Sequence, residues 1–149
     1  MIRAVLDTNT IVSALLVPTS VPARILAVAR AGNFELITSG VIKQEVQRTL
    51  QRPRIQFKYA ISPARIEGLR ILLDQRATSA EITREVHGVA SHPQDDLVLA
   101  TADSADADYL VTGDRQLQRI NPYERVQIVS PRQFLDILER EAGLSPPRP

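Results

Sequence analysis

Five carboxylates stand where the chain is expected to turn: Asp7, Glu45, the adjacent pair Asp95 and Asp96, and Asp114. The strand-like run Ile2–Leu6 closes on Asp7, and Tyr109–Val111 leads through Thr112 and Gly113 to Asp114. Short apolar runs of this kind read as buried parallel strands, and in open α/β sheets the ligand crevice lies just outside the carboxyl ends of the strands. Two carboxylates so placed face one crevice. In a parallel sheet with right-handed crossovers, helix amino termini emerge on that same edge, so Glu45 and one of Asp95 and Asp96 are expected to converge there too. Carboxylates gathered in this way repel unless a cation neutralises them. Mg²⁺ or Mn²⁺ suits such a site, because these ions prefer oxygen ligands and bind through a few carboxylates, water and substrate phosphate. The matching chemistry is attack of water on a phosphodiester, which needs neither histidine nor cysteine.

The elements that must position these groups follow from periodicity and capping. A strand over Ile2–Leu6 feeds a helix over Thr10–Leu16, with Asp7, Thr8 and Asn9 available as caps. Val21–Ala31 reads as a helix stopped by Gly32, and Phe34–Thr38 as a strand. Ser39 caps a helix from Gly40 to about Gln51 that contains Glu45 and is stopped by Pro53. Pro63–Gln75 forms a further helix, whereas Thr78–His87 has no clean period and reads as loop with a short strand. Pro93 opens a helix from Gln94 to about Ala105, followed by a strand over Tyr109–Val111, a helical piece over Arg115–Arg119 and a strand over Val126–Val129. Ser130 and Pro131 cap a last helix over Arg132–Glu141, and the tail, residues 143–149, is expected to fray. Strands alternating with helices make this an α/β protein: a central, mostly parallel sheet with helices on both faces, one domain over residues 1–142.

Composition narrows the function classes. Of the 149 residues, 44% are hydrophobic and 23% charged, an ordinary globular balance, and no run approaches the length of a membrane span. The amino terminus shows no signal-peptide pattern, so a cytoplasmic location is expected, with no membrane partner. With no cysteine and only His87 and His92, thiolate nucleophiles and cysteine-based zinc sites are excluded. Net charge is +1, but the charges are segregated. Lys43–Arg70 carries seven bases against two acids, and Asp95–Asp114 carries six acids and no base. Within the basic stretch Arg48, Arg52, Arg54 and Lys58 are candidates for contacts to an RNA backbone.

The segments VLDTNTIVSALL, SGVIKQEV, HPQDDLVLATA and VTGDRQL, followed by SPRQFL, resemble a PIN domain of the VapC-like toxin branch, over nearly the whole chain. That resemblance implies a three-layer α/β sandwich and a Mg²⁺- or Mn²⁺-dependent endoribonuclease acting as the toxin of a toxin-antitoxin pair. Its implied partners are RNA, a cognate antitoxin and a second copy of the chain. Residue by residue, Asp7 matches the first family acid, Glu45 the helix acid and Asp114 the acid of the Thr-Gly-Asp turn. Related sequences often show Asp-Pro-Asp-Asp-Asn where this chain has His92-Pro93-Gln94-Asp95-Asp96. With Pro93 aligned, Asp95 falls on the last aspartate and Asp96 on the asparagine, which favours Asp95 as catalytic ligand and leaves Asp96 as neighbour or second ligand.

Thr8, Asn9, Ser13 and Thr112 stand beside these acids, where they could orient a carboxylate or a metal-bound water. Taken singly, Asp7 is explained as a helix cap, Asp114 as a turn residue and Glu45 as a solvated helix position. Asp103, Asp106 and Asp108 read as a solvated face and loop, with Asp103 or Asp108 able to add an outer contact. The alternative from another class is a catalytically inactive PIN-like module that binds RNA or protein. A haloacid-dehalogenase-type phosphatase would want an aspartate where Asn9 stands.

Overall fold

A computed structural model of the chain describes residues 1–141; the expected tail, residues 143–149, lies outside the described residues. β1 (Arg3–Leu6) runs through the centre of a five-stranded sheet in which every pairing is parallel. On one side it pairs with β2 (Glu35–Thr38), which pairs with β3 (Thr78–Ser79); on the other it pairs with β4 (Tyr109–Val111), which pairs with β5 (Gln127–Val129). In register, Val5 lies between Ile37 and Leu110, and all three are fully buried. Apolar side chains on successive residues, as in Ala4-Val5-Leu6, are what a strand covered on both faces requires.

The strand order β3-β2-β1-β4-β5 fixes where a ligand can bind. From β1 the chain builds outward to β2 and β3, then returns to place β4 on the opposite side of β1 and continues to β5. The direction of winding therefore reverses between β1 and β4. At such a switch point the two connections diverge to opposite faces and leave a crevice beyond the strand ends. Asp7 follows β1 directly, and Thr112-Gly113-Asp114 follows β4.

Eight helices cover the sheet among the described residues: α1 (Thr8–Leu16), α2 (Val21–Arg30), α3 (Gly40–Leu50), α4 (Pro53–Lys58), α5 (Pro63–Ile71), α6 (Pro93–Ser104), α7 (Arg115–Gln118) and α8 (Pro131–Glu141). Their starts are chemically marked. Asp7, Ser20, Ser39 and Ser62 accept the backbone N–H of the residue three positions on, and proline occupies the first turn of α2, α4, α5 and α6. Gly32 follows the end of α2: its N–H reaches Ala29 O, and its φ of 76° turns the chain so that Asn33 N–H reaches Val28 O, closing the helix. Phe134 of α8 is fully buried, with Phe34 edge-on to it at 5.2 Å between ring centroids and Tyr109 tilted against it at 5.7 Å.

Two elements depart from expectation. Pro53 stops α3 as expected, but its fixed φ also suits the first turn of a helix, and α4 begins on it. The helix expected over Pro63–Gln75 ends at Ile71 and continues as a π-helical turn over Leu72–Arg76, in which Ala77 N–H reaches Leu72 O at 2.9 Å. Leu72 and Leu73 are both buried in that wider turn, just before the chain enters the short β3.

Candidate active site

Asp7 is buried at the carboxyl end of β1 and has two tasks that fix its carboxylate. Its Oδ1 accepts Thr10 N–H at 2.8 Å, capping α1, and its Oδ2 accepts the hydroxyl of Thr112. The backbone is tied in parallel: Asp7 N–H donates to Val111 O at 3.1 Å, continuing the β1–β4 ladder into the loop. Thr112 in turn accepts Asp114 N–H on the same oxygen at 3.1 Å, so one hydroxyl links both aspartates. Asp114 Oδ1 caps α7 by accepting Gln116 N–H at 2.8 Å, and Gln118 Nε2 holds Thr112 O at 2.7 Å.

α6 supplies the third acid. Asp95 and Asp96 both lie in its first turn, where the helix dipole favours negative charge, yet they point to different work. Asp96 is buried, and its two oxygens accept the backbone N–H groups of Gly88, Val89 and Ala90 at 2.9, 3.2 and 2.7 Å. Gly88 sits at φ 69°, a left-handed conformation that glycine adopts without strain. Asp96 thus clamps the loop ahead of α6. Asp95 instead lines a notch with Ala90, Ser91, Asp114 and Gln116.

Electrostatics group three carboxylates. Burial pushes the Asp7 carboxyl above its ordinary value, its bonds from Thr10 and Thr112 oppose this, and Asp114 adds repulsion. Burial also raises Asp95, followed by repulsion from Asp114 and then from Asp7. Asp7, Asp95 and Asp114 therefore feel one another across the β1–β4 switch point. Glu45 is not among the charges that raise either group. Its carboxylate, on α3, lies between Arg48 Nη2 at 3.5 Å and Arg52 Nη2 at 3.6 Å.

The sequence matches the PIN domain family over residues 3–116. The chain belongs to the PIN-domain family. No curated protein matches its sequence. Among solved structures, this PIN domain is similar to a chain in the crystal structure of VapBC2 from Rickettsia felis bound to a DNA fragment from their promoter. The match has a TM-score of 0.58 at 16% identity and covers 87% of this chain and 98% of the other. It is also similar to a chain of FitAcB from Neisseria gonorrhoeae, with a TM-score of 0.50 at 16% identity, covering 86% and 97%. These likenesses bear out the three-layer α/β sandwich.

The remaining expected groups of the PIN domain divide by burial. Thr112 is buried and bonded to Asp7, while Asn9 and Ser13 are exposed on α1. Thr8 is buried beside Asp7, and its hydroxyl has no hydrogen-bond partner among the described residues. Asp103 and Asp108 supply no outer contact to the acids: Asp103 lies 3.5 Å from Arg84, and Asp108 accepts Arg3 N–H at 2.9 Å, at the opposite edge of the sheet. Thr10 and Gln118 organise the site but were missed. The Asp7-x-x-Thr10 spacing is a capping signal that could have found the first, whereas Gln118 reaches Thr112 through a fold no local pattern encodes.

The donor set of the PIN domain fits a hard dication in charge and chemistry. Among the described residues, no three acidic or imidazole side chains are drawn close enough to enclose an ion by themselves. Mg²⁺ tolerates this, since it keeps several waters and is commonly held by one or two carboxylates plus substrate phosphate. A cavity of about 630 Å³ lies elsewhere, around Met1, Ile2, Asp108, Tyr109 and Gln127 at the amino ends of the strands. It gathers none of the candidate acids.

Proposed function

We propose that this PIN domain is a Mg²⁺- or Mn²⁺-dependent endoribonuclease, the toxin of a toxin-antitoxin pair, acting in the cytoplasm as a homodimer held in check by a cognate antitoxin. The observation that carries the reading is the placement of Asp7, Asp95 and Asp114 together at the switch point of the sheet, Asp7 and Asp114 joined through Thr112 and Asp95 lining one notch with Asp114. Asp7 is buried, Asp95 half-buried and Asp114 exposed at the mouth of the crevice, and like charges gathered around a buried carboxylate are costly unless a cation balances them, which argues for a bound ion. The ion would supply an activated water and charge balance for the phosphodiester oxygens.

Asp7, Asp95 and Asp114 would be its ligands, with Glu45 joining after exchange of its arginine partners. That exchange is cheap. Arg48 and Arg52 are more than half exposed and, although the Glu45 side chain is only 19% exposed, each pair is long and screened on its arginine side, contributing about 1 kcal/mol. Asp96, with both oxygens committed to the loop, is the weaker candidate ligand. Thr112 would keep Asp7 in one orientation, and Arg48, Arg52, Arg54 and Lys58 would hold the RNA backbone. The fold shared with the VapBC2 chain from Rickettsia felis supports the antitoxin partner.

The direct test incubates the purified chain with labelled RNA in chelator and in Mn²⁺, alongside thermal melts. Ion-dependent cleavage and an ion-dependent rise in melting temperature support the reading. RNA binding without either effect points to the inactive binding module instead.

A further inference from the structure

α4 buries none of its six residues. Helices this short are not stable alone in water, so packing or a partner must hold them, and here the core provides no anchor from within α4. Phe57, in its last turn, is 95% exposed, the most exposed aromatic side chain among the described residues. Around it, Arg52–Tyr59 contains Arg52, Arg54 and Lys58 and no acid, with Lys58 Nζ 5.3 Å from the centre of the Tyr59 ring. The segment is also tied to a candidate acid, because Arg52 Nη2 lies 3.6 Å from Glu45 Oε1.

An apolar protein partner would look different. The apolar groove on this side, about 410 Å³ between α3 and α5, is lined by Val46, Leu50, Ile66, Leu69 and Leu73. From α4 it takes Gln56 but not Phe57. Phe57 therefore stands apart from the apolar surface, among cations. An exposed aromatic ring flanked by unopposed cations is the combination that holds single-stranded nucleic acid: the ring stacks on an unpaired base and the cations neutralise phosphates on either side.

We infer that α4 is the substrate arm of this protein, with Phe57 stacking on an unpaired base of single-stranded RNA while Arg54 and Lys58 contact the adjoining phosphates. This rests on the ribonuclease reading and adds to it a binding residue with no charge, Phe57. The arm begins beside Glu45, the candidate acid on α3, through Arg52.

The test is fluorescence anisotropy of the full chain with a short, dye-labelled, unstructured RNA in chelator, over a range of salt. Phe57→Ala should weaken binding about tenfold or more without changing the salt slope, and Phe57→Trp should restore it. Arg54→Gln and Lys58→Gln should each lower the slope by about 0.7. Melting temperatures should stay at the wild-type value, since no side chain of α4 is buried. Phe57→Ala binding within twofold of wild type, or a change in its mass in solution that marks Phe57 as a self-association contact, overturns the inference. If the wild type cleaves RNA in Mn²⁺ while Phe57→Ala binds normally, the arm alone is wrong; if the wild type neither binds nor cleaves RNA, the ribonuclease reading falls with it.

Discussion

Thr112 Oγ1 donates a hydrogen bond to the Oδ2 of Asp7, 105 residues away along the chain, and accepts the backbone N–H of Asp114 on the same oxygen. A single buried hydroxyl thus joins the end of β1 to the turn after β4. Replacing Thr112 by valine keeps its shape but strips Asp7 of a donor inside the protein. The expected cost is about 1–3 kcal/mol in thermal or chemical unfolding, with a loss of metal-dependent cleavage of about 10–100-fold. Thr112→Ser should retain most of both. A valine variant as stable and active as wild type would show that Asp7 is held by its cap alone.

Asp7→Asn separates folding from chemistry. Because burial raises the Asp7 carboxyl above its ordinary 3.8, the folded chain takes up this proton more readily than the unfolded chain. Stability linked to this group is then fully present below 3.8 and is lost as pH rises through the folded value. Asparagine removes that loss and still caps a helix. In chelator, Asp7→Asn should therefore melt above wild type at neutral pH, with the difference closing in acid, while divalent-dependent cleavage disappears. A variant that melts lower at neutral pH contradicts the sign.

The neighbours on α6 should respond in opposite ways. Asp96→Ala leaves three backbone N–H groups without their acceptor and should destabilise by about 2–3 kcal/mol, seen in melts without metal. Asp95→Asn relieves repulsion from Asp114 and Asp7, so it should fold at least as well as wild type but lose the rise in melting temperature on adding Mn²⁺. The reverse pattern would exchange their roles.

Glu45 is tested by titration of the ion. Glu45→Gln should raise the Mn²⁺ concentration for half-maximal cleavage several-fold. Arg48→Gln or Arg52→Gln should change stability by about 1 kcal/mol or less, since each pair is long and screened on its arginine side. An unchanged Mn²⁺ requirement in Glu45→Gln would confine this residue to its arginine partners.

Much of the architecture was legible locally. The apolar runs at β1, β2, β4 and β5 and the Ser or Asp caps of the helices are written in adjacent residues, so their positions agree with the structure to within a residue or two. β3 was obscure because two exposed residues carry no hydrophobic pattern and join the sheet only through pairing with β2. α4 was missed because Pro53 can end one helix and begin the next, and α4 has no buried face to create a period. The division of labour between Asp95 and Asp96 was suggested by sequence order, but its cause, three amides converging on Asp96, comes from the path of the loop.

By itself the sequence determined the chemical inventory: aspartates at two strand ends, two more at a helix start, and no cysteine, all readable because strand and helix periods are local properties. Tertiary structure decided which carboxylates meet. Successive helix residues point about 100° apart, so only the way α6 is laid on the sheet turns Asp95 toward Asp7 and Asp114 while Asp96 faces the loop. Only packing, likewise, could place Thr112 between two acids that sequence separates by more than a hundred residues.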